Sequence, residues 1–277
     1  MSASEVETTA EGPHPPRRDA GPAPAGGDVT GTRTFRVFRW KRGGDEDSRM
    51  ETYDGVPIGP RTTVLEALRW IQLHLDRSLI LRHSCFHASC GTCGLRVNGR
   101  EVLGCVTFAH DLGSVVTVEP IANVPVLADL VVDMTEFYER FPEGQALDER
   151  PAIRASGFLP QAETPGGIDA YERYEDCIEC GLCLSACPIA STSEGYFGPA
   201  ALAAAQRLIE EPRGADPRTI LDWADDPLGA WRCHAIFECT EACPSGVRPA
   251  ERIMSLRGAL ASGQLRPIAR EEGNREA

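Results

Sequence analysis

Eleven cysteines in a chain of 277 residues constrain the fold more than any other feature: an odd number cannot all pair as disulfides, and these cysteines fall in fixed spacings. Cys85, Cys90, Cys93 and Cys105 read C-x4-C-x2-C, with eleven residues before the last. Cys177, Cys180, Cys183 and Cys187, followed by Pro188, read C-x2-C-x2-C-x3-C-P. Cys233, Cys239 and Cys243, followed by Pro244, keep the same register, except that Ile236 stands where the second cysteine would fall. Residues 2–30 carry Glu5, Glu7, Glu11, Asp19 and Asp28 against Arg17 and Arg18, with five prolines and no apolar run. That composition fits neither a secretory signal nor a mitochondrial presequence. The segment reads as a disordered tail in a reducing cytoplasm, where cysteine clusters bind metal or do redox work more often than they form disulfides.

The first spacing is the plant-type ferredoxin one, in which a tight loop wraps a 2Fe-2S cluster and a distant cysteine closes the cage. Gly91 and Gly94 fit such a loop, since small residues let backbone amides approach cluster sulfurs. A zinc site would favour paired C-x2-C knuckles. The second spacing is the bacterial ferredoxin run, whose first three thiolates hold one cubane while the fourth reaches to another. Cys243 then completes the site of Cys177, Cys180 and Cys183, and Cys187, Cys233 and Cys239 form a site with only three thiolates. A 4Fe-4S cube needs a ligand on each iron, so a corner facing Ile236 predicts a 3Fe-4S cluster. The three sets use every cysteine, whereas zinc knuckles or disulfides leave an orphan.

The patterning predicts an α+β chain of two domains. A strand over Thr34–Trp40, turn residues over Gly43–Ser48 and an extended piece around Met50–Tyr53 form a hairpin. Thr63 and Glu66 make a capping-box signature before a helix whose Val64, Leu68, Ile71 and Leu75 share one face. Asn98-Gly99 between Leu95–Val97 and Glu101–Leu103 marks a second hairpin, and Val115–Glu119 a further strand ending at Pro120. Helices are expected from Pro199 to Glu210 and from Pro249 to Leu260. The boundaries read as a tail over 1–31, a first domain over 32–140, a Pro- and Gly-rich linker over 141–167, a mainly helical second domain over 168–264 and a polar end over 265–277. No stretch approaches the roughly 20 apolar residues of a membrane-spanning helix. With 28 basic against 41 acidic residues and a net charge of -13, nucleic-acid binding is not expected.

A plant-type cluster domain followed by a double ferredoxin run with one cysteine missing resembles the iron-sulfur subunit of succinate dehydrogenase and fumarate reductase. Asp129-Leu130-Val131-Val132-Asp133-Met134, Tyr196-Phe197-Gly198-Pro199-Ala200-Ala201-Leu202 and Arg232-Cys233-His234 agree with that family, and the likeness spans about residues 33 to 262. The resemblance implies a β-grasp ferredoxin domain and an α-helical ferredoxin domain. It also implies a partner flavoprotein that oxidises succinate on FAD, and electrons passing through the 2Fe-2S, 4Fe-4S and 3Fe-4S clusters to a quinone. That quinone is held against membrane-anchor subunits, with or without haem b, at the cytoplasmic face of a bacterial plasma membrane. No catalytic residue for succinate is expected on this chain.

The family's quinone pocket draws on the proline after the fourth cysteine of the run, a following serine and tryptophan, and the histidine after the next cysteine. Pro188 and His234 match it, with Ile236 nearby; Ile189 replaces the serine and Thr192 stands near the tryptophan position, a departure shared with fumarate reductases that use menaquinone. His234 is either a proton donor or a packed neighbour of the cluster. His83 and His87 are expected as surface or neighbouring groups rather than ligands, and Trp70, Trp223 and Trp231 as core or interface residues. Two other readings stand beside succinate oxidation. One is fumarate reduction by the same parts; the other is a cluster-bearing subunit of a soluble, heterodisulfide-reductase-like oxidoreductase.

Overall fold

The computed structural model describes residues 29–41, 43, 48–142, 177–210 and 216–262. Strands β1 (Gly31–Arg39) and β2 (Arg49–Ile58) pair antiparallel, and β1 lies parallel to β5 (Val115–Glu119). The short strands β3 (Gly94–Val97) and β4 (Arg100–Leu103) complete a mixed sheet in the order β2-β1-β5-β3-β4. Helix α1 (Val64–His74) carries the expected capping box, with Thr63 accepting from the Glu66 amide and Glu66 accepting from the Thr63 amide at 2.8 Å. The period of two in the strands and of 3.6 in the helix explains the packing: Phe35, Val37, Val56, Val116 and Val118 face Val64, Leu68 and Ile71, all fully buried. Between β3 and β4, Asn98 and Gly99 both take positive φ, 49° and 78°, as a two-residue hairpin turn requires.

Strand β1 opens at Gly31, and the Thr30 amide donates to the Ile58 carbonyl at 2.9 Å, so ordered pairing begins slightly before the expected Thr32. The reason is β2, which runs on to Ile58 and supplies those extra partners. Most of the tail, the linker beyond Pro142 and the carboxyl end lie outside the described residues. After a small ribbon of β6 (Val126–Ala128) and β7 (Val131–Val132) and the short helix α2 (Thr135–Glu139), the second domain is helical. It contains α3 (Leu182–Ser185), α4 (Pro188–Thr192), α5 (Pro199–Glu210), α6 (Pro217–Ala224), α7 (Glu238–Glu241) and α8 (Pro249–Ser262). Helix α5 is alanine-rich and buried nearly all round, with α8 on one side and α6 on another.

A buried ionic network ties the first sheet to its loops. Arg39 donates from Nε to Asp129 Oδ1 at 3.1 Å, from Nη1 to Tyr53 Oη at 2.6 Å and to Asp76, and from Nη2 to Ser78 Oγ at 2.8 Å. Asp129, held at φ 47°, also accepts from the amides of Trp40 and Ile80 at 3.0 and 2.8 Å. Burial works against ionisation of Asp76, but hydrogen bonds from Ser78, Tyr53 and Arg39 outweigh it and hold its carboxyl well below the usual range. The stability this contributes is present in full above the unfolded pKa near 4 and is lost as pH falls toward the depressed folded value. Arg39→Met strands two carboxylates and is expected to cost about 3–5 kcal/mol in urea unfolding at pH 7. The gap from the unmodified chain should narrow below about pH 4.

Candidate metal centres

The first thiol group sits on the loop between α1 and β3 and is closed by Cys105 just after β4. Left-handed backbone at Phe86, Ala88 and Gly91, with φ of 63°, 61° and 68°, coils the loop so that its amides point inward. The amides of His87 and Ser89 donate to Cys85 Sγ at 3.5 and 3.3 Å, that of Ala88 to Cys105 Sγ at 3.3 Å, and the Thr92 hydroxyl to Cys90 Sγ at 3.2 Å. These donors are not the amides that Gly91 and Gly94 were expected to free. The thiols meet in two pairs, Cys85 with Cys90 and Cys93 with Cys105. Two pairs suit two irons bridged by sulfide. Amide hydrogen bonds, the His87 one foremost, lower the Cys85 pKa to about 7, while burial pushes Cys93 up to about 12. Metal loading must therefore displace the Cys93 proton from a buried place.

The second domain repeats one local structure twice. After Cys177 the chain takes positive φ at Glu179 (50°) and Gly181 (78°) and enters α3; after Cys233 it takes positive φ at Ala235 (53°) and Phe237 (70°) and enters α7. The closing amides repeat as well, Cys187 donating to Leu184 O and Cys243 to Thr240 O, both at 3.2 Å. In this backbone register Ile236 occupies the place of Cys180. Cys177, Cys180, Cys183 and Cys243 line one apolar cavity, with Pro244 and Val247. Cys187, Cys233 and Cys239 line another. Burial pushes Cys177 and Cys180 up to about 11 and Cys239 to about 12, and raises Cys183 and Cys187 as well. Thiolates formed in such places would need a metal to compensate their charge.

The three groups stand in file. A Cβ at Gly91 would lie 2.6 Å from the Ile178 carbonyl oxygen and 2.8 Å from Cys180 Cβ, so the first and second loops touch backbone to backbone. Arg82 lies between them, its charge felt by both Cys93 and Cys180, with Nε buried and unpartnered; burial lowers its pKa. On the other side, Cys183 and Cys239 interact electrostatically and link the second group to the third. The domain seam is fastened by Asn123, whose Nδ2 donates to the carbonyls of Leu184, Ser185 and Cys187 at 2.8, 3.2 and 3.0 Å. Ser185 Oγ donates to Glu101 Oε1 at 3.0 Å and accepts from the Ala122 amide at 2.8 Å.

Pro188, His234 and Ile236 line the third cavity together with Ile189 and Tyr196. Thr192 does not: its hydroxyl turns back to the Pro188 and Ile189 carbonyls at 3.3 Å, satisfying the backbone of its own short helix. His87 hydrogen-bonds through Nδ1 to the Cys85 carbonyl at 2.5 Å, and His83 packs on Phe86 at 5.2 Å. Trp70 is buried and Trp223 stacks on Phe197 at 4.5 Å. Trp231 is 42% exposed, with Arg257 over its ring at 5.3 Å, so of the two expected places, core or interface, it does not take the core. Sequence reasoning did not single out Arg82, Asn123 or the Tyr196 side chain. Nothing in their local spacing marks them, because their partners come from other elements.

The sequence model for a "2Fe-2S iron-sulfur cluster binding domain" matches residues 34–139, and that for a "4Fe-4S dicluster domain" residues 173–247. The chain is 37% identical to the fumarate reductase iron-sulfur subunit of Mycobacterium tuberculosis over 84% of its own length and 95% of the relative's. It is 33% identical to the succinate dehydrogenase iron-sulfur subunit of Paracoccus denitrificans, over 85% of this chain and 90% of that one. The chain belongs to the succinate dehydrogenase and fumarate reductase iron-sulfur subunit family. A solved chain of the Mycobacterium smegmatis Sdh1 complex in the apo form superposes with a TM-score of 0.73 at 25% identity, covering 87% of this chain and all of that one. As in that family, an N-terminal 2Fe-2S ferredoxin domain precedes a helical 4Fe-4S domain, and the fold class is α+β. The loop contact at Gly91 makes this family member testable. Gly91→Ala should cost at least about 1–2 kcal/mol from left-handed backbone alone, before the clash, and should speed iron release to a chelator. Gly113→Ala, where an added Cβ meets nothing within 4 Å, should leave denaturation and iron release unchanged.

Proposed function

We propose that this chain is the electron-transfer subunit of a membrane-bound succinate:quinone oxidoreductase, accepting electrons from an FAD-bearing flavoprotein and delivering them to a quinone, menaquinone, beside membrane-anchor subunits. The file of three thiol groups, Gly91 against Cys180 and Cys183 beside Cys239, carries this reading. Cys85, Cys90, Cys93 and Cys105 would hold the 2Fe-2S cluster; Cys177, Cys180, Cys183 and Cys243 the 4Fe-4S cluster; Cys187, Cys233 and Cys239 the 3Fe-4S cluster. Bound there, the clusters supply one-electron redox chemistry that no side chain offers. The protein's part is to hold the centres close, keep water from the buried thiolates and set potentials through burial and hydrogen bonds to sulfur.

Ile236 brings no ligand to the third cavity, and it is 48% exposed beside Phe237 at 38%. Such an apolar rim suits an apolar partner and a quinone ring, and His234 on the same cavity would be placed to hydrogen-bond a quinone oxygen. No helix among the described residues is long and apolar enough to cross a membrane, so the reading assigns anchoring to partners at the cytoplasmic face. Fumarate reduction is the reverse use of the same residues. It is favoured by the relatives from Mycobacterium tuberculosis and Haemophilus influenzae that bear that name.

Purified with its native partners, the complex is expected to reduce quinone with succinate, and paramagnetic resonance with iron analysis should find three cluster types totalling about nine irons per chain, as the ligand sets require. Two four-iron cubes or zinc alone would overturn the assignment. Ile236→Cys is expected to convert at least part of the three-iron centre to 4Fe-4S and lower its potential. Quinone reduction should slow while flavin-level dye reduction survives. An unchanged three-iron signal at full occupancy would refute the register.

A further inference from the structure

Tyr196 is the largest fully buried side chain of the second domain, at 0% exposure, and its hydroxyl has no hydrogen-bond partner of standard geometry. An unpaired buried hydroxyl destabilises the fold, a cost that a phenylalanine would avoid while filling the same space. The ring is fixed from both sides. The Tyr196 amide donates to the Ser193 carbonyl at 3.2 Å, its carbonyl accepts from Arg140 at 3.1 Å, and the ring packs with Leu202, Leu208 and Ile253. This places Tyr196 on the wall of the cavity that holds Cys187, Cys233 and Cys239, with the hydroxyl toward the Cys233 thiol. It is the polar side chain that comes to this cavity from the buried side; His234 and Glu238 reach it from the exposed rim.

We infer that the Tyr196 hydroxyl donates a hydrogen bond to the Cys233 thiolate of the third centre and so raises the reduction potential of that centre. The inference rests on the reading that these three thiolates hold a cluster. A phenol, with its ordinary pKa near 10, is uncharged at neutral pH, so Tyr196 is a neutral O–H donor. One added electron increases the negative charge on the sulfurs, and a donor fixed in a cavity without water stabilises the reduced form more than the oxidised one. The hydroxyl keeps its proton throughout, and no bond is made or broken. Tyr196 is thus a positioning residue for charge. The first centre is served differently, by the amides of His87, Ala88 and Ser89.

The test uses the intact complex in a redox titration followed by paramagnetic resonance. Tyr196→Phe is expected to change the reduced-to-oxidised ratio of the three-iron centre at fixed potential by about tenfold, a negative shift near 59 mV for one electron, with the other two centres unmoved. Pulsed resonance on the unmodified complex in deuterated buffer should reveal an exchangeable proton coupled to the three-iron centre that the variant lacks. That measurement stands even if the variant binds its cluster poorly. An unchanged potential with the cluster fully present, or no exchangeable coupling in the unmodified complex, would overturn the role of Tyr196. Absence of any three-iron signal in the unmodified complex would overturn the underlying cluster assignment instead.

Discussion

Where the two domains meet, the backbone of Ile178 and Cys180 lies so close to Gly91 that no methyl group fits between them. Most of the functional geometry depends on that approach. It brings the first thiol loop against the second, and it requires a residue without Cβ that also accepts a φ of 68°. Around it the seam closes with apolar packing of Leu103, Ile121, Met134 and Phe137 against Leu182 and Leu184. Polar contacts follow the same line: Asn123 caps three carbonyls at the end of α3, and Ser185 reaches Glu101. A seam that was only apolar would tolerate sliding. Directional hydrogen bonds to the very turn that bears Cys187 fix the register of the second domain on the first.

Within the second domain the controlling device is a repeated turn. Glycine meets the left-handed requirement at Gly181, where a Cβ would strike Met134 Cε at 2.9 Å. At the matching place in the repeat stands Phe237, at φ 70° and 38% exposed, a backbone conformation that bulky residues adopt at a cost of about 1–2 kcal/mol. The difference is what each turn faces. The Gly181 turn is pressed into the seam, whereas the Phe237 turn looks outward, where a large apolar side chain has room and Ile236 beside it replaces a ligand. One local fold thus serves an inward centre with four thiols and an outward centre with three.

Electrostatics separates the centres further. Burial raises the pKa of nearly all the second-domain thiols that respond, and Cys93 in the first, whereas Cys85 on the outer loop is lowered by amides. Thiolates in such places would be compensated by metal, and amide dipoles, a cation or a neutral donor can add to it. The first loop offers amides, the space between first and second holds the Arg82 guanidinium, and the third has the Tyr196 hydroxyl at its back.

Much of this was legible in the chain itself. The cysteine spacings dictated three cysteine runs because ligands of a tight loop must be close in sequence; β-branched and aromatic content placed β1, the 3.6 period placed α1, and the Pro199 start with alanine-rich propensity placed α5, because each is a local signature. The capping box at Thr63 and the Asn98-Gly99 turn are equally local. What the spacing left open was everything that depends on residues far apart meeting: the contact of Gly91 with Cys180, the placement of Arg82 between two thiol groups, the three-carbonyl clamp of Asn123 and the hydroxyl of Tyr196 beside Cys233. Thr192 shows the same limit from the other side, since its sequence neighbourhood put it at the cavity while its own helix took up its hydroxyl. The sequence by itself determined which thiols share a run and which position lacks one, because those are short-range facts of covalent spacing. Only the tertiary structure decided how the groups stand in file and which uncharged or cationic side chains face them, because these contacts form when two separately patterned domains close on a seam too tight for a single added carbon.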